Sequence, residues 1–239
     1  KAEEIIMTIW AILPAAGIGR RMGSITPKQY LPLNGATVIE STLSRLLNIV
    51  SIKEIVVVLN ETDSYWSSLK TSYPKSVRTV IGGGQRYQSV LNGLNSLKEK
   101  AEVSDWVLVH DAVRPCVREA DIEKLIATLQ FHAIGGVLGS PVADTLKEVN
   151  EQAEIQRTID RSNCWSALTP QMFRYGILRE ALEVVASQGL VVTDEAAAIE
   201  LLGHVALMVK GKTDNIKITT DADLELAGKI LELQQSEAS

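Results

Sequence analysis

Short β-branched runs alternate along the chain with segments whose apolar residues return at helical spacing. Residues 9–13, 52–59, 77–81, 106–110, 135–140 and 205–209 read as strands bounded by turn residues. The unbroken apolarity of VVVL and WVLV within two of them fits strands covered on both faces. Between them, Val38/Ile39, Leu43 and Leu46/Leu47 form one helical stripe, and Val90, Leu94 and Leu97 a second. A third runs through Ile122, Leu125/Ile126 and Leu129; a fourth through Ile177/Leu178, Ala181/Leu182 and Val185; a fifth through Leu224, Ala227 and Ile230/Leu231. This alternation predicts an α/β fold with a mostly parallel twisted sheet flanked by helices.

One stretch, 143–160, breaks the rhythm. DTLKEVN and EIQRTID read as two short strands around NEQA, with charged residues interleaved throughout. Such a hairpin has no helix to cover it and is marginal alone in water, so it predicts a projecting arm that clasps a second subunit.

Composition narrows the function. The chain has 239 residues, and 24 Lys+Arg against 29 Asp+Glu give a formal net charge of −5, which argues against a nucleic-acid partner. A chain of this length can bury roughly 70–75% of its extended surface, so a single domain spanning 1–239, with the arm as an appendage, needs no staple. Cys116 and Cys164 lie far apart, and His110, His132 and His204 are scattered singly, a pattern unlike a structural zinc site. No apolar run approaches the ~18 residues of a membrane span, and the N-terminal KAEEIIMTIW lacks a basic segment followed by a long apolar one. The expectation is a cytoplasmic protein without a membrane partner, and no function is expected of residues 1–6.

The first chemical signal is LPAAGIGRRMGSITPKQY, directly after the first strand. Ala15, Ala16, Gly17 and Gly19 leave the backbone bare, so successive N–H groups can converge on phosphate oxygens, while Arg20, Arg21 and Lys28 add full charges. A dinucleotide fingerprint fits less well: Met22 holds the third glycine position, Pro14 would sit where a central strand should keep its N–H, and no acidic residue closes a second strand about 20 residues on. An ordinary glycine turn with solvated arginines is the plain alternative. A second cluster, GGGQR, also follows a strand, and Ser89 lies at the start of the next helix. Gly82 to Gly84 would allow close approach to a flat base, or form a flexible turn.

The third signal is HDAVRP after WVLV. Asp111 at a strand's carboxyl end, among phosphate-binding cations, has the chemistry of a Mg²⁺ ligand, because magnesium takes one or two carboxylates plus substrate phosphates. His110 faces the other way along the strand and reads as a packed residue. Arg114 could pair with Asp111 or contact substrate. Lys217 lies within the apolar DNIKIT, where an unpaired ammonium would be costly.

Taken in order, PAAGIGRRM with PKQY, GGGQRYQSV, VLVHDAVRPC, PVADT, DRSNCWSALTPQMF, TDEAAAIE and DNIKIT make the sequence resemble the cytidylyltransferases that join 2-C-methyl-D-erythritol 4-phosphate to CTP in non-mevalonate isoprenoid synthesis. The resemblance covers nearly the whole chain and implies a Rossmann-like nucleotidyltransferase fold. It implies that Ala15, Ala16, Gly17 and Gly19 wrap the CTP triphosphate, with Arg21 and Lys28 on its charges. It places Gly83, Gly84 and Ser89 at the cytosine and ribose, and Asp111 with Ala112 at the nucleotide and its Mg²⁺ or other divalent cation. Lys217 would join Lys28 on the reacting phosphate. Arg114, Thr145, Arg161, Thr169 and Thr193 would hold the polyol phosphate, Arg161 reaching in from the partner of a homodimer. The sequence departs from the family's pattern at Gly84, where an acidic residue is expected.

The reaction so implied is in-line attack of a phosphate oxygen on the α-phosphorus of CTP. The nucleophile is already anionic, so no general base is required, in keeping with the lack of a His dyad or paired carboxylates. Transfer to another polyol phosphate such as ribitol 5-phosphate, or a sugar-nucleotide-binding module without turnover, are the alternatives. DRSNCWSALTPQ favours the methylerythritol substrate, and Lys28, Asp111 and Lys217 favour turnover.

Overall fold

The computed structural model describes residues 7–17, 26–69 and 76–238. Seven strands form the main sheet: β1 (Ile9–Pro14), β4 (Ile52–Leu59), β5 (Ser76–Ile81), β6 (Trp106–Val109), β7 (Gly135–Pro141), β10 (Trp165–Arg174) and β11 (Leu207–Lys210). Their order is β11-β7-β10-β6-β1-β4-β5, and β10 alone runs antiparallel to its neighbours. The remaining strands are short pairs: β2 (Pro32–Leu33) with β3 (Ala36–Thr37), and β8 (Leu146–Val149) with β9 (Ile155–Ile159). The helices are α1 (Val38–Leu47), α2 (Arg86–Asn95), α3 (Glu119–Leu129), α4 (Tyr175–Gln188), α5 (Glu195–Leu201) and α6 (Asp221–Ala238). Among the described residues no helix is long and apolar enough to cross a membrane.

Alternation along β1 divides the core. Ile9, Ala11 and Leu13 pack with Ile39, Leu43 and Leu46 of α1 and Leu125 and Leu129 of α3. Trp10 and Ile12 face the other side, against Val90 and Leu94 of α2 and Leu178, Leu182 and Val185 of α4. A third cluster joins Val38, Val113 and Cys116 to Ile218, Ala227 and Leu231, and so fastens α6 and the loop before it to α1 and to the loop after β6.

The topology fixes where a ligand can sit. The chain runs outward from β1 through β4 to β5, then returns to place β6 on the other side of β1. This reversal leaves a crevice at the carboxyl ends of β1 and β6, the usual ligand position in open α/β sheets.

Four expectations need correction. The sheet is mostly parallel as expected, but β10, which was not foreseen as a strand, inserts antiparallel between β6 and β7. Its sequence, WSALTPQMFR, has Pro170 at its middle and an exposed first half, and its pairing with β7 shifts register between Ala167 and Gln171. The strand expected over 106–110 ends at Val109, so His110 and Asp111 begin a loop. The strand expected over 205–209 begins at Leu207. Helix α5 was also unforeseen, although Asp194 caps it by accepting from the Ala197 N–H at 3.0 Å.

Tight backbone contact allows β10 to fit. Gly135 has φ +140°, and a Cβ there would overlap the Met172 carbonyl oxygen and the Phe173 side chain of β10. Gly135→Ala is expected to destabilise the protein by about 2 kcal/mol or more. The check is the urea midpoint; an unchanged midpoint would remove the packing claim.

Candidate functional site

Three loops meet at the crevice: Ala15–Gly17 after β1, Gly82–Gln85 between β5 and α2, and His110–Arg114 after β6. A cavity of about 210 Å³ is lined by Ala15, Ala16, Gly17, Lys28, Gln29, Gly83, Gly84, Gln85, Arg86, Ser89, Asp111, Ala112, Val113 and Lys217, together with Pro14. A larger groove of about 780 Å³ runs along α1 and is lined by Glu40, Arg45 and Glu119 among others. It lies along a helix flank rather than at the strand ends and carries two carboxylates to one guanidinium, whereas the smaller cavity carries Lys28, Arg86 and Lys217 to one carboxylate and is the better site for an anionic ligand. Gly19, Arg20 and Arg21 lie outside the described residues.

The first loop is held by its carbonyls. Gln29 Nε2 donates to the carbonyl oxygens of Ala15 (2.8 Å) and Gly17 (3.2 Å), and Asn60 Nδ2 donates to that of Ala16 (3.2 Å). Among the described residues, the N–H groups of Ala16 and Gly17 have no hydrogen-bond partner. With its acceptors occupied and donors left over, the loop favours an anion. Gln29 was not singled out from sequence, although it lies within PKQY.

The second loop packs against the first. A Cβ on Gly82 would lie 2.6 Å from Ala16 Cβ and 2.7 Å from Ser89 Oγ, so glycine there is what lets the two loops touch. Ser89 Oγ accepts from the Gly83 N–H at 3.1 Å and thereby shapes the loop from beneath. At Gly84 a Cβ would meet nothing nearer than 3.6 Å. Space does not require glycine at that position.

Asp111 is the electrostatic centre. Its Oδ1 accepts from Arg86 Nη2 (3.0 Å) and Nε (3.2 Å), while its Oδ2 is paired with Lys217 Nζ (2.9 Å) and Arg114 Nε (3.4 Å). Burial acts to raise the carboxyl, but Arg86, Lys217 and Arg114 together outweigh it and hold Asp111 well below the usual carboxylate range. Arg114 also donates to the Asn215 carbonyl at 2.8 Å, so the ion-pair reading of that residue describes its contacts here. Glu195, 1% exposed, takes the other side of Arg86 at 2.6 and 3.1 Å. Neither Arg86 nor Glu195 was assigned a role from sequence, although both stand inside quoted motifs.

Lys217 is not buried as its apolar surroundings in sequence suggested: its side chain is 40% exposed and lies in a loop. The backbone next to it carries the order. Ile218, fully buried, donates its N–H to the Val113 carbonyl at 2.9 Å and accepts Lys28 Nζ at 3.1 Å on its own carbonyl. Lys28 and Lys217 therefore converge from opposite ends of the chain. A lone ionised carboxylate such as Asp111 fits Mg²⁺ shared with phosphates, and no cluster of three or more His, Cys, Asp or Glu side chains suited to a metal occurs among the described residues.

The residues expected at the polyol phosphate are not part of the cavity lining in one chain. Thr145, Arg161 and Thr193 are exposed, and Arg161 Nη1 donates to the Val142 carbonyl at 2.7 Å, at the base of the arm. Thr169 is buried and supports the Asp111 loop. Its Oγ1 accepts from the Asp111 N–H at 3.0 Å and lies 2.9 Å from His110 Nδ1. The hydroxyl proton is then directed at Nδ1, and His110 Nε2–H donates to the Arg114 carbonyl at 3.1 Å. His110 is indeed packed, at 0% exposure, and burial pushes it down to about 4, so it is neutral at pH 7.

That shift sets a pH dependence. The unfolded chain takes up a proton at His110 near pH 6.5, whereas the folded chain does so only near 4. The unfolded state thus binds more protons between these values, and stability falls as pH is lowered through the window. Replacing His110 by Asn is expected to flatten the dependence of urea stability between pH about 4.5 and 6.5. An unchanged slope would mean that His110 does not supply it.

The comparisons with known proteins place the chain in a family. The sequence profile of the family IspD, 2-C-methyl-D-erythritol 4-phosphate cytidylyltransferase, matches residues 9–233. The chain is similar to the 2-C-methyl-D-erythritol 4-phosphate cytidylyltransferase of Hahella chejuensis, at 48% identity over 92% of this chain and 91% of that one. It is similar also to that of Aliivibrio fischeri, at 46% identity over 97% of each. Its structure resembles the crystal structure of the Francisella tularensis 2-C-methyl-D-erythritol 4-phosphate cytidylyltransferase, with a TM-score of 0.81, 37% identity and coverage of 93% and 99%. Two packed backbone loops and two converging lysines line one cavity on a matching sheet, and the chain belongs to the 2-C-methyl-D-erythritol 4-phosphate cytidylyltransferase family.

Proposed function

We propose that the crevice transfers CMP from CTP to 2-C-methyl-D-erythritol 4-phosphate, releasing pyrophosphate, as a step of non-mevalonate isoprenoid synthesis. The observation that carries this reading is the convergence of Lys28 and Lys217 beside the N–H groups of Ala16 and Gly17, which have no partner among the described residues. A phosphate oxygen of the polyol phosphate attacks the α-phosphorus, the bond to the bridging oxygen breaks, and the pair of electrons leaves with pyrophosphate. Both reactants are anions, so the chain's task is to bring them together and to neutralise charge gathering at phosphorus. The loop 15–17 holds the triphosphate, Gly83, Gly84 and Ser89 receive the cytidine, and Lys28 and Lys217 bear on the reacting phosphate. Arg21 adds a further cation. A divalent cation, Mg²⁺ in the first instance, would be held by Asp111 with Ala112 beside it, and would supply charge neutralisation at the phosphates.

The polyol phosphate is assigned to Arg114, Thr145, Thr169 and Thr193, with Arg161 from a second copy. Support comes from the arm, where Val149 is 50% and Ile155 64% exposed on a two-stranded hairpin that is mostly exposed on both strands. The whole chain thus acts as one nucleotidyltransferase domain, with the arm at 143–160 for dimerisation. We assign the homodimer to the cytoplasm, with two small anionic substrates and with neither nucleic acid nor membrane as partner, in keeping with its net charge of −5.

Lys28→Ala and Lys217→Ala are each expected to fold, since Asp111 keeps Arg86 and Arg114 as counter-charges, and each to lower kcat by ~10²-fold or more. Steady-state pyrophosphate release with CTP and a panel of polyol phosphates tests this. Near wild-type turnover in either variant would remove the assignment, and a preference for ribitol 5-phosphate would change the substrate.

The shared site has its own test. Inactive Lys28→Ala and inactive Arg161→Ala proteins are mixed and allowed to exchange subunits. If Arg161 serves the partner's site, half the dimers are hybrids and one site in each is whole, so about a quarter of wild-type activity returns. If Arg161 serves its own chain, each hybrid site carries a lesion and the mixture stays inactive.

A further inference from the structure

We propose that Glu195, acting through Arg86, is a positioning residue for the transfer: it fixes Arg86 on Oδ1 of Asp111 and leaves Oδ2 as the oxygen that exchanges Lys217 for the divalent cation accompanying CTP. The inference rests on the reading of the crevice as the transfer site, with Asp111 as the carboxylate that meets the cation.

The donor count comes first. A guanidinium has five N–H groups. In Arg86, Nε and one N–H of Nη2 go to Asp111 Oδ1, while Nη1 and the other N–H of Nη2 go to Glu195, at 2.6 and 3.1 Å. Four of the five are therefore committed to carboxylates, and one remains. Arg86 lines the cavity and would otherwise be drawn to a triphosphate, for which its forked geometry is well suited. Glu195 opposes that movement.

Glu195 is itself held from both sides in the chain. Asp194 accepts from the Ala197 N–H at 3.0 Å and from Gln171 Nε2 at 2.8 Å, and Gln171 Oε1 accepts from the Ala196 N–H at 2.9 Å. Gln171 belongs to β10, so the antiparallel strand anchors the start of α5 and, through it, Glu195. The clamp thus stands on the central sheet rather than on a loose loop.

The two oxygens of Asp111 are unequal as a result. Oδ1 faces one guanidinium that is fastened behind. Oδ2 faces the 40% exposed Lys217 at 2.9 Å and a longer contact to Arg114 at 3.4 Å. The more exposed and less constrained partner is the one that can leave. Lys217, once displaced, is free to move to the phosphates beside it, so one carboxylate oxygen would serve in turn as a resting place for the lysine and as a ligand for the cation.

Removing the Glu195 charge has effects of opposite sign on the two ligands. Arg86 is released toward the triphosphate, so nucleotide alone should bind as well as before or better. The cation meets a less ordered carboxylate and one more uncompensated positive charge, so it should bind worse. A purely structural role for Glu195 would weaken both. The experiment uses Glu195→Gln and Arg86→Lys, the latter keeping its charge in the cluster but losing the fork. Mn²⁺ binding to enzyme saturated with α,β-methylene CTP, which cannot transfer CMP, is read by electron paramagnetic resonance, and binding of the same analogue in EDTA is read by calorimetry.

Both variants are expected to weaken Mn²⁺ binding about 10-fold or more, the usual cost of losing a partner behind a metal ligand. Affinity for the analogue without metal should not fall in Glu195→Gln. In the Asp111→Asn background, Glu195→Gln should produce no further loss of Mn²⁺ affinity. Unchanged Mn²⁺ affinity in both variants, a parallel loss of metal-free analogue binding in Glu195→Gln, or additive losses in the double variant would each overturn the proposal. If Asp111→Asn itself leaves Mn²⁺ binding intact, the assignment of Asp111 as the cation's ligand fails. If Asp111→Asn weakens it and Glu195→Gln and Arg86→Lys do not, only the clamp fails.

Discussion

The Asp111 carboxylate gathers three cations within 3.4 Å, and the architecture of the crevice depends on that gathering. Arg86 comes from the start of α2, Arg114 from the loop after β6, and Lys217 from the loop before α6. Without a counter-charge they would repel one another, and each would pay to leave water. With Asp111 ionised at the centre and Glu195 behind, they are held together before any substrate arrives. A site for two anions needs positive potential, but an empty one has to be neutralised well enough to fold. The two carboxylates supply that neutrality from inside the cluster.

The sheet topology is what makes such a gathering possible. Because the chain reverses at β1 and β6, loops separated widely in sequence open onto the same edge. The backbone of Ile218 then joins two of them, through the Val113 carbonyl on one side and Lys28 on the other. The antiparallel β10 has a part here as well, since Thr169 braces Asp111 and His110 from one end and Gln171 braces α5 from the next turn of the strand. A strand that interrupts the parallel order thus serves the site directly.

Much of this was legible in the sequence where a local pattern carries the signal. Continuous apolar runs gave β4 and β6, helical stripes gave α1 to α4 and α6, and the small residues at 15–17 and the glycine cluster at 82–84 stood out by composition. Lys28 and Asp111 stood out as charges near the carboxyl ends of strands, and Lys217 by its place in a motif of a known family. What was missed depends on pairing across the chain. Arg86 and Glu195 are 109 positions apart, and nothing near either one says that they meet. Strand β10 hid behind Pro170 and an exposed first half, so its pattern resembled a loop until its neighbours were known. Lys217 was expected to need a partner because its sequence neighbours are apolar; it has one, but at the surface of the crevice, since only Ile218 beside it enters the core.

Gln29 and Asn60 have a wider effect than holding a loop in shape. By occupying the carbonyl oxygens of residues 15–17 they give that segment a fixed polarity, with its acceptors tied back and, among the described residues, the N–H groups of Ala16 and Gly17 left over. Attraction of that kind comes from dipoles at contact distance, and a salt solution with a screening length of about 8 Å scarcely weakens it. An acidic protein can therefore hold a highly charged nucleotide without a basic surface. A triphosphate bound as proposed would then survive changes of ionic strength that release a ligand held by surface lysines alone.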